Sequence, residues 1–248
     1  MMPALSSFSR RLMALAGILG LVATAGAWSS SPAGAAATGK SYTVAVLGDS
    51  LADGLYAGLR TLTRDMPNVS VKKYSRVNTG IARADRYNWN SAAEQIASSN
   101  VQIAVMVFGA NDLQSIRLNG KAYHYPQPGW VKLYKERVNG IVRSFKQRHI
   151  PVYWVGLPIT RKDRFQKDYA FLNTIFRAIV RQNGGTFVDT WQALADDSGA
   201  YSAYHVVDGK KSQIRASDGV HFTPVGYQIY ADYALRKIKT DFSLPGAK

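Results

Sequence analysis

The order of apolar and polar positions divides this chain into alternating strands and helices. Tyr42 to Leu47 is apolar nearly throughout, the pattern of a central parallel strand covered on both faces. A helix is expected from about Leu51 to Arg64, ended by Met66-Pro67-Asn68. Val69 to Tyr74 is a more polar strand, nearer an edge, and the loop Ser75-Arg-Val-Asn-Thr-Gly80 follows it. Ser91-Ala-Ala-Glu94 has capping-box spacing and places the start of the next helix at Ser91. Val101 to Phe108 is the strongest strand pattern. It stops at Gly109-Ala-Asn-Asp112, and a loop rich in Gly, Pro and Tyr covers Asn119 to Gly129. Trp130, Leu133, Tyr134, Val138, Ile141, Val142 and Phe145 recur at helical spacing and read as core.

Pro151 to Val155 is a fourth strand, closed by Gly156-Leu-Pro158. Phe165, Tyr169, Leu172, Phe176, Ile179 and Val180 mark a helix capped by Asn183-Gly184, and Thr186 to Val188 is a short fifth strand. Asp208-Gly209 between Tyr201–Val207 and Lys211–Arg215 signals a hairpin. Thr223-Pro224 opens a terminal helix that runs to about Lys239. The expected fold is a three-layer α/β/α sandwich with a flavodoxin-like, five-stranded, mainly parallel sheet and a β-hairpin insertion before the last helix. Such sheets take ligands at the carboxyl ends of their strands. Ser50, the Gly80 loop, Asn111 and the 156–164 loop all fall at those ends.

The first residues read differently. Arg10 and Arg11 precede an uncharged apolar run from Leu12 to Trp28, and small polar residues with Ala-x-Ala matches at 33–35 and 35–37 follow. That is the layout of a secretory signal peptide over 1–37, with a retained membrane anchor as the alternative. A short linker (38–41), one domain (42–240) and a tail (241–248) complete the division. The expected location is periplasmic or secreted. The chain has no cysteine, which excludes thiol nucleophiles and cysteine metal sites. Its net charge is +15, with basic residues scattered and no nucleic-acid motif. Peripheral attraction to anionic envelope polymers or headgroups and simple solubility are equal readings of that charge. Oligomeric state stays open.

The candidate chemistry is nucleophilic. Gly48-Asp49-Ser50-Leu51 puts a hydroxyl at a strand-to-helix turn, where a helix N-terminus favours developing negative charge. Ser50 also reads as a simple helix N-cap. Of four histidines, His149 follows a helix, His124 lies in a loop and His205 in a hairpin strand. Only His221 falls just before a helix and three residues after an aspartate. Asp218-x-x-His221 suits a turn in which the carboxylate accepts from Nδ1–H and leaves Nε2 to take a serine proton. The Gly80 N–H and the Asn111 amide are candidate oxyanion donors beside the Ser50 N–H.

Four blocks in this order, Gly48-Asp49-Ser50-Leu51, Asn78-Thr79-Gly80, Gly109-Ala-Asn-Asp112 and Asp218-Gly-Val-His221, resemble those of the SGNH (GDSL) hydrolases over about residues 42–238. The Gly-x-Ser-x-Gly elbow of α/β-hydrolases is not met, since position 52 is Ala. The resemblance is to an exported bacterial branch of the family. It implies Ser50 as nucleophile, His221 as base oriented by Asp218, and Ser50, Gly80 and Asn111 as the oxyanion hole, with Asp49 and Asp112 as turn and supporting residues. It implies no metal and no cofactor. The expected activity is hydrolysis of ester groups, chiefly O-acetyl, on an envelope polysaccharide or peptidoglycan, with an acetylated anionic glycan as one candidate substrate. An O-acyltransferase, a lipase or lysophospholipase-type esterase and a non-catalytic polysaccharide-binding protein are the alternatives.

Overall fold

The computed structural model describes residues 40–242 and Leu244; the expected signal peptide, half of the linker and most of the tail lie outside these residues. In chain order the elements are β1 (Tyr42–Gly48), α1 (Ser50–Leu62), β2 (Val69–Ser75), a 3-10 turn (Ile81–Arg83), α2 (Trp89–Ala97) and β3 (Ile103–Val107). Next come β4 (Ile116–Leu118), β5 (Lys121–Tyr123), α3 (Pro128–Lys146), β6 (Val152–Val155), α4 (Asp163–Gln182) and β7 (Thr186–Val188). The chain closes with β8 (Tyr204–Val207), β9 (Lys210–Gln213) and α5 (Pro224–Phe242).

The main sheet is parallel throughout, in the order β2-β1-β3-β6-β7. The chain therefore reverses direction across the sheet between β1 and β3, which opens a crevice at their carboxyl ends. Helices α1 and α5 pack on each other, and α2, α3 and α4 pack side by side. Right-handed crossovers put these two groups on opposite faces of the sheet. Apolar runs at β1 and β3 are what a sheet covered on both sides demands: Ala45, Val46, Leu47 and all of Ile103–Val107 are fully buried. Of the helical-spacing residues, Trp130, Tyr134, Val138, Ile141, Val142 and Phe145 form the buried stripe of α3, and Leu133 is half-buried at its margin. Trp154 is ringed by Phe108 (centroids 5.4 Å) and Phe176 (4.7 Å), joining the sheet to α4.

Three local expectations are corrected. Helix α2 starts at Trp89 rather than Ser91, because the Asn88 side chain accepts from the N–H groups of Asn90 and Ser91 and so supplies the cap earlier. The strongest strand is shorter than its apolar run. Val101 and Phe108 are buried, but Ile103–Val107 alone makes the ladder. The stretch taken as a plain loop from Asn119 contains the turn of a second hairpin, β4–β5. Asn119 (φ 49°) and Gly120 (φ 74°) form that turn, the Asn-Gly pair that two-residue hairpins favour. The hairpin β8–β9 lies where its Asp208-Gly209 turn predicts.

Helices α1 and α5 meet closely because α1 presents glycines to α5. A Cβ on Gly58 would lie 2.4 Å from the Tyr227 carbonyl oxygen and 2.8 Å from the Ala231 Cβ, and one on Gly54 would overlap the Tyr227 ring. Ser50 opens α1, and His221 lies three residues before α5. The spacing of these two helices thus sets the spacing of those two side chains. Gly58→Ala adds helix propensity of about 1 kcal/mol, yet it forces apart a contact made by backbone. We expect a net loss of about 1–3 kcal/mol, read as a lower urea midpoint. An unchanged or higher midpoint would contradict this account of the helix contact.

Candidate active site

Strand β1 ends at Gly48, whose φ of 138° and whose approach to β3 both require glycine: a Cβ there would sit 1.8 Å from the Val107 carbonyl oxygen. The chain turns at Asp49. This side chain, and not Ser50, caps α1, with Asp49 Oδ1 accepting from the Leu51 N–H at 3.0 Å. Ser50 is the first helical residue, and its hydroxyl is left free of capping duty. Ser50 Oγ lies 2.7 Å from His221 Nε2.

His221 is held by its own turn. Asp218 Oδ1 accepts from the N–H groups of Val220 (2.8 Å) and His221 (2.9 Å), and Oδ2 lies 2.6 Å from His221 Nδ1. An ionised carboxylate can only accept, so the ring proton belongs on Nδ1 and Nε2 is an acceptor for the Ser50 hydroxyl. Partial burial works to raise the Asp218 pKa. The hydrogen bonds from His221 and from the two backbone N–H groups outweigh it and hold the pKa down to about 2. Asp218 and His221 are 48% and 37% exposed, so the pair opens to solvent.

Sequence reading passed over the group beneath this turn, Arg215. It is fully buried, with Nη2 donating to the carbonyls of Ile159 (2.6 Å) and Gly219 (3.3 Å) and its guanidinium stacked 4.1 Å from the Phe222 ring. Arg215 ties the Asp218–His221 turn to the loop after β6. Nothing in the local sequence separates this arginine from the surface cations around it. Arg161 donates from its backbone N–H to the Gly219 carbonyl (3.1 Å), and its side chain lies across Gly219.

The other expected donors lie close together. Asn111 Nδ2 donates one hydrogen to the Thr79 carbonyl at 2.9 Å and has a second to offer. Gly80 is extended (φ −162°), so its backbone does not need glycine. Its surroundings do: a Cβ would lie 2.3 Å from Asp112 Oδ1. Among the described residues, neither the Ser50 N–H nor the Gly80 N–H has an acceptor.

Asp49 and Asp112, expected only as turn and supporting residues, bind these loops together. Asp49 Oδ2 accepts from the Ala110 N–H (3.1 Å), joining the serine turn to the asparagine loop. Asp112 Oδ1 accepts from the Ala82 N–H (2.7 Å), and Oδ2 accepts from the Tyr134 hydroxyl (2.8 Å), joining the asparagine loop to the glycine loop and to α3. Arg137 Nη1 donates to the carbonyls of Ile81 (3.0 Å) and Ala82 (2.9 Å) from the same side. Burial raises the pKa of both carboxyls. For Asp49 it prevails over the N–H groups of Leu51, Ala110 and Gly109 and carries the pKa to about 7, with the nearby Asp112 adding to the rise. Among the described residues no group of three or more His, Cys, Asp or Glu side chains could hold a metal ion.

The remaining histidines lie elsewhere. His124 meets Ser115 at 3.0 Å, His149 is exposed with φ 56°, and His205 sits in β8.

The raised Asp49 pKa has a measurable result. The folded chain keeps the Asp49 proton up to about pH 7, whereas an unfolded carboxyl releases it near pH 4. The stability tied to that proton is complete below pH ~4 and is lost as the pH rises through about 7. We expect the urea midpoint of the parent to fall between pH 5 and pH 8 by more than that of Asp49→Asn. The variant should be the less stable of the two at pH 5, because its NH2 faces a backbone N–H. Equal pH slopes for the two proteins would refute this.

The family described as "Protein of unknown function (DUF459)" matches residues 43–237. No curated protein matches the chain. Solved structures do, at low identity. A catalytic variant of Axe2, an acetylxylan esterase from Geobacillus stearothermophilus, is 15% identical over 81% of this chain and 95% of its own, with a TM-score of 0.57. A member of the lipolytic G-D-S-L family from Veillonella parvula is 14% identical over 78% and 96%, with a TM-score of 0.55. A GDSL-like lipase from Bacteroides thetaiotaomicron is 14% identical over 81% and 89%, with a TM-score of 0.53. At such identities these are likenesses of fold. With the family match covering most of the chain and the sheet order seen here, the protein belongs to the DUF459 family and has the SGNH (GDSL) hydrolase fold.

Proposed function

We propose that this protein is a serine esterase acting through Ser50, His221 and Asp218. The observation that carries the reading is the continuous chain from Ser50 Oγ to His221 Nε2 (2.7 Å) and from His221 Nδ1 to Asp218 Oδ2 (2.6 Å). Ser50 Oγ attacks the ester carbonyl carbon as its proton passes to His221 Nε2. The imidazolium so formed is stabilised by Asp218, which stays ionised above about pH 2. The carbonyl oxygen gains the negative charge and is met by the Ser50 N–H at the positive end of α1, the Gly80 N–H and Asn111 Nδ2. Collapse expels the alcohol, which takes its proton from His221, and leaves an acyl group on Ser50. Water then attacks with His221 again as base, releasing the acid and restoring the hydroxyl.

We place the substrate among O-acetylated glycans. The fold is shared with an enzyme described as an acetylxylan esterase, and the site stands open to solvent, as an ester on a polymer requires. The net charge of +15 favours an anionic polymer. Together with the leader-like residues 1–37, this supports a place in the cell envelope or outside it, after export.

With p-nitrophenyl acetate, we expect Ser50→Ala to lower kcat/KM by roughly 10³-fold or more. A Ser50→Ala rate equal to the parent's would overturn the assignment. Asn111→Ala is expected to lower kcat by about 10²- to 10³-fold, with a fall in stability of only about 0.5–1.5 kcal/mol from the lost bond to Thr79. Acetate release from an acetylated glycan should exceed fatty-acid release from lecithin, and the reverse ranking would turn the substrate reading toward lipids.

A further inference from the structure

Beside the loop that carries Gly80, between the edge strand β2 and helix α2, lies a cavity of about 360 Å3. Its lining includes Tyr74, Arg76, Tyr87, Gln95 and Ser99. That volume is within the range of small-molecule sites, about 300–1,000 Å3. The cavity adjoins the candidate catalytic apparatus. The Arg76 N–H donates to the Gly48 carbonyl at 2.7 Å, two residues before Ser50. The Tyr87 ring meets Trp89 edge-on at 4.8 Å, and Trp89 Nε1 donates to Thr79 Oγ1 at 3.1 Å, next to Gly80.

Arg76 is the distinctive group. Its guanidinium carbon stands 4.7 Å from the centre of the Tyr87 ring. A guanidinium held over an aromatic ring makes no hydrogen bond to it and keeps its N–H groups for a ligand. Among the described residues no carboxylate pairs with Arg76, while the nearby Asp85 is taken by Arg83 and Asp53 by Lys73. The remaining lining offers the Tyr74 hydroxyl, the Gln95 amide and the oxygens of Ser75 and Ser99, whose protons go to Asp53 and to the Ile96 carbonyl, with only short aliphatic stretches at Ala92 and Ile96. A lipid chain needs a continuous apolar wall. A hydroxyl-rich ring bearing a carboxylate matches these groups.

We propose that this cavity is a subsite for a carboxylate-bearing sugar of the glycan whose ester group lies at Ser50. The Arg76 fork takes the carboxylate through two charge-assisted hydrogen bonds, and the hydroxyls and amide take the ring hydroxyls. The proposal rests on the esterase reading for what happens at Ser50. The binding chemistry of the cavity itself does not depend on catalysis, so the test avoids esters altogether.

Titration calorimetry of the full chain would compare trigalacturonate, with a carboxylate on each sugar, against neutral xylotriose. The parent is expected to bind trigalacturonate more tightly than xylotriose, and less tightly as salt is raised. Arg76→Gln should weaken trigalacturonate about fivefold, the upper end for an exposed charge pair, and leave xylotriose unchanged. Arg76→Lys should recover only part of the loss, because an ammonium lacks the planar fork. It also serves as the test variant should Arg76→Gln fail to fold. Equal binding of the two sugars by the parent, no binding of trigalacturonate, or an Arg76→Gln affinity equal to the parent's would each overturn the proposal. So would an equal loss for both sugars, which would make Arg76 a support of the loop. Should p-nitrophenyl acetate remain intact with the parent while the Arg76-dependent preference persists, the esterase reading falls and the subsite stands.

Discussion

A carboxylate removed from water must be given hydrogen-bond donors, and the arrangement at the sheet's carboxyl edge follows from how two of them are supplied. Asp49 takes N–H groups from its own turn and from Ala110. Asp112 takes the Ala82 N–H and the Tyr134 hydroxyl. Neither acid is exposed at all. Leaving any of these donors or acceptors unmatched in a dry interior would cost about 1–3 kcal/mol each, so three separate loops are fixed against one another by necessity. Ser50, Gly80 and Asn111 stand on those loops. The groups that could receive an oxyanion are thus positioned by side chains that never touch a substrate.

Much of this could be read in the sequence, and the rest could not for definite reasons. The parallel sheet was readable because β1 and β3 must be apolar on both faces, and the turns because Asp208-Gly209 and Gly48 carry left-handed or tight backbone. The pairing of Asp218 with His221 is local, three residues apart, and so was visible as spacing. Helix α2 was misplaced by two residues because Asn88 competes with Ser91 for the same capping role, and spacing alone does not choose between them. The hairpin β4–β5 was missed although Asn119-Gly120 is a strong signal. Its strands are three residues each and lack a clear alternation. Arg215 was beyond reach, since its burial depends on the 156–160 loop, with Ile159 56 residues away, closing over a turn whose Gly219 and Phe222 are near it in sequence but carry no signal of that contact.

The four exchangeable features of the open edge have different supports. The Ser50 hydroxyl is freed by an aspartate cap, and the His221 ring is oriented by an aspartate turn. The turn is held down by a buried arginine, and the neighbouring cavity is framed by Tyr87, which Trp89 anchors to the glycine loop. Positive charge is spread widely over the surface, yet the arginines that matter to geometry, Arg137 and Arg215, spend their hydrogen bonds on backbone carbonyls. Net charge and site geometry are therefore carried by different residues, and either can vary while the other is kept.

The Ser50–His221 contact joins positions 171 residues apart. A contact of such long range can be made only by the assembled fold, since loop-closure entropy opposes it in an open chain. The serine turn and both acid-braced loops belong to β1–β3 and their connections, whereas His221 comes from the segment just before α5. Helix α5 packs on α1, so the packing that completes this face of the sheet also brings His221 to Ser50, and under the proposed mechanism a chain with α5 displaced would hold the Ser50 hydroxyl with no proton acceptor beside it.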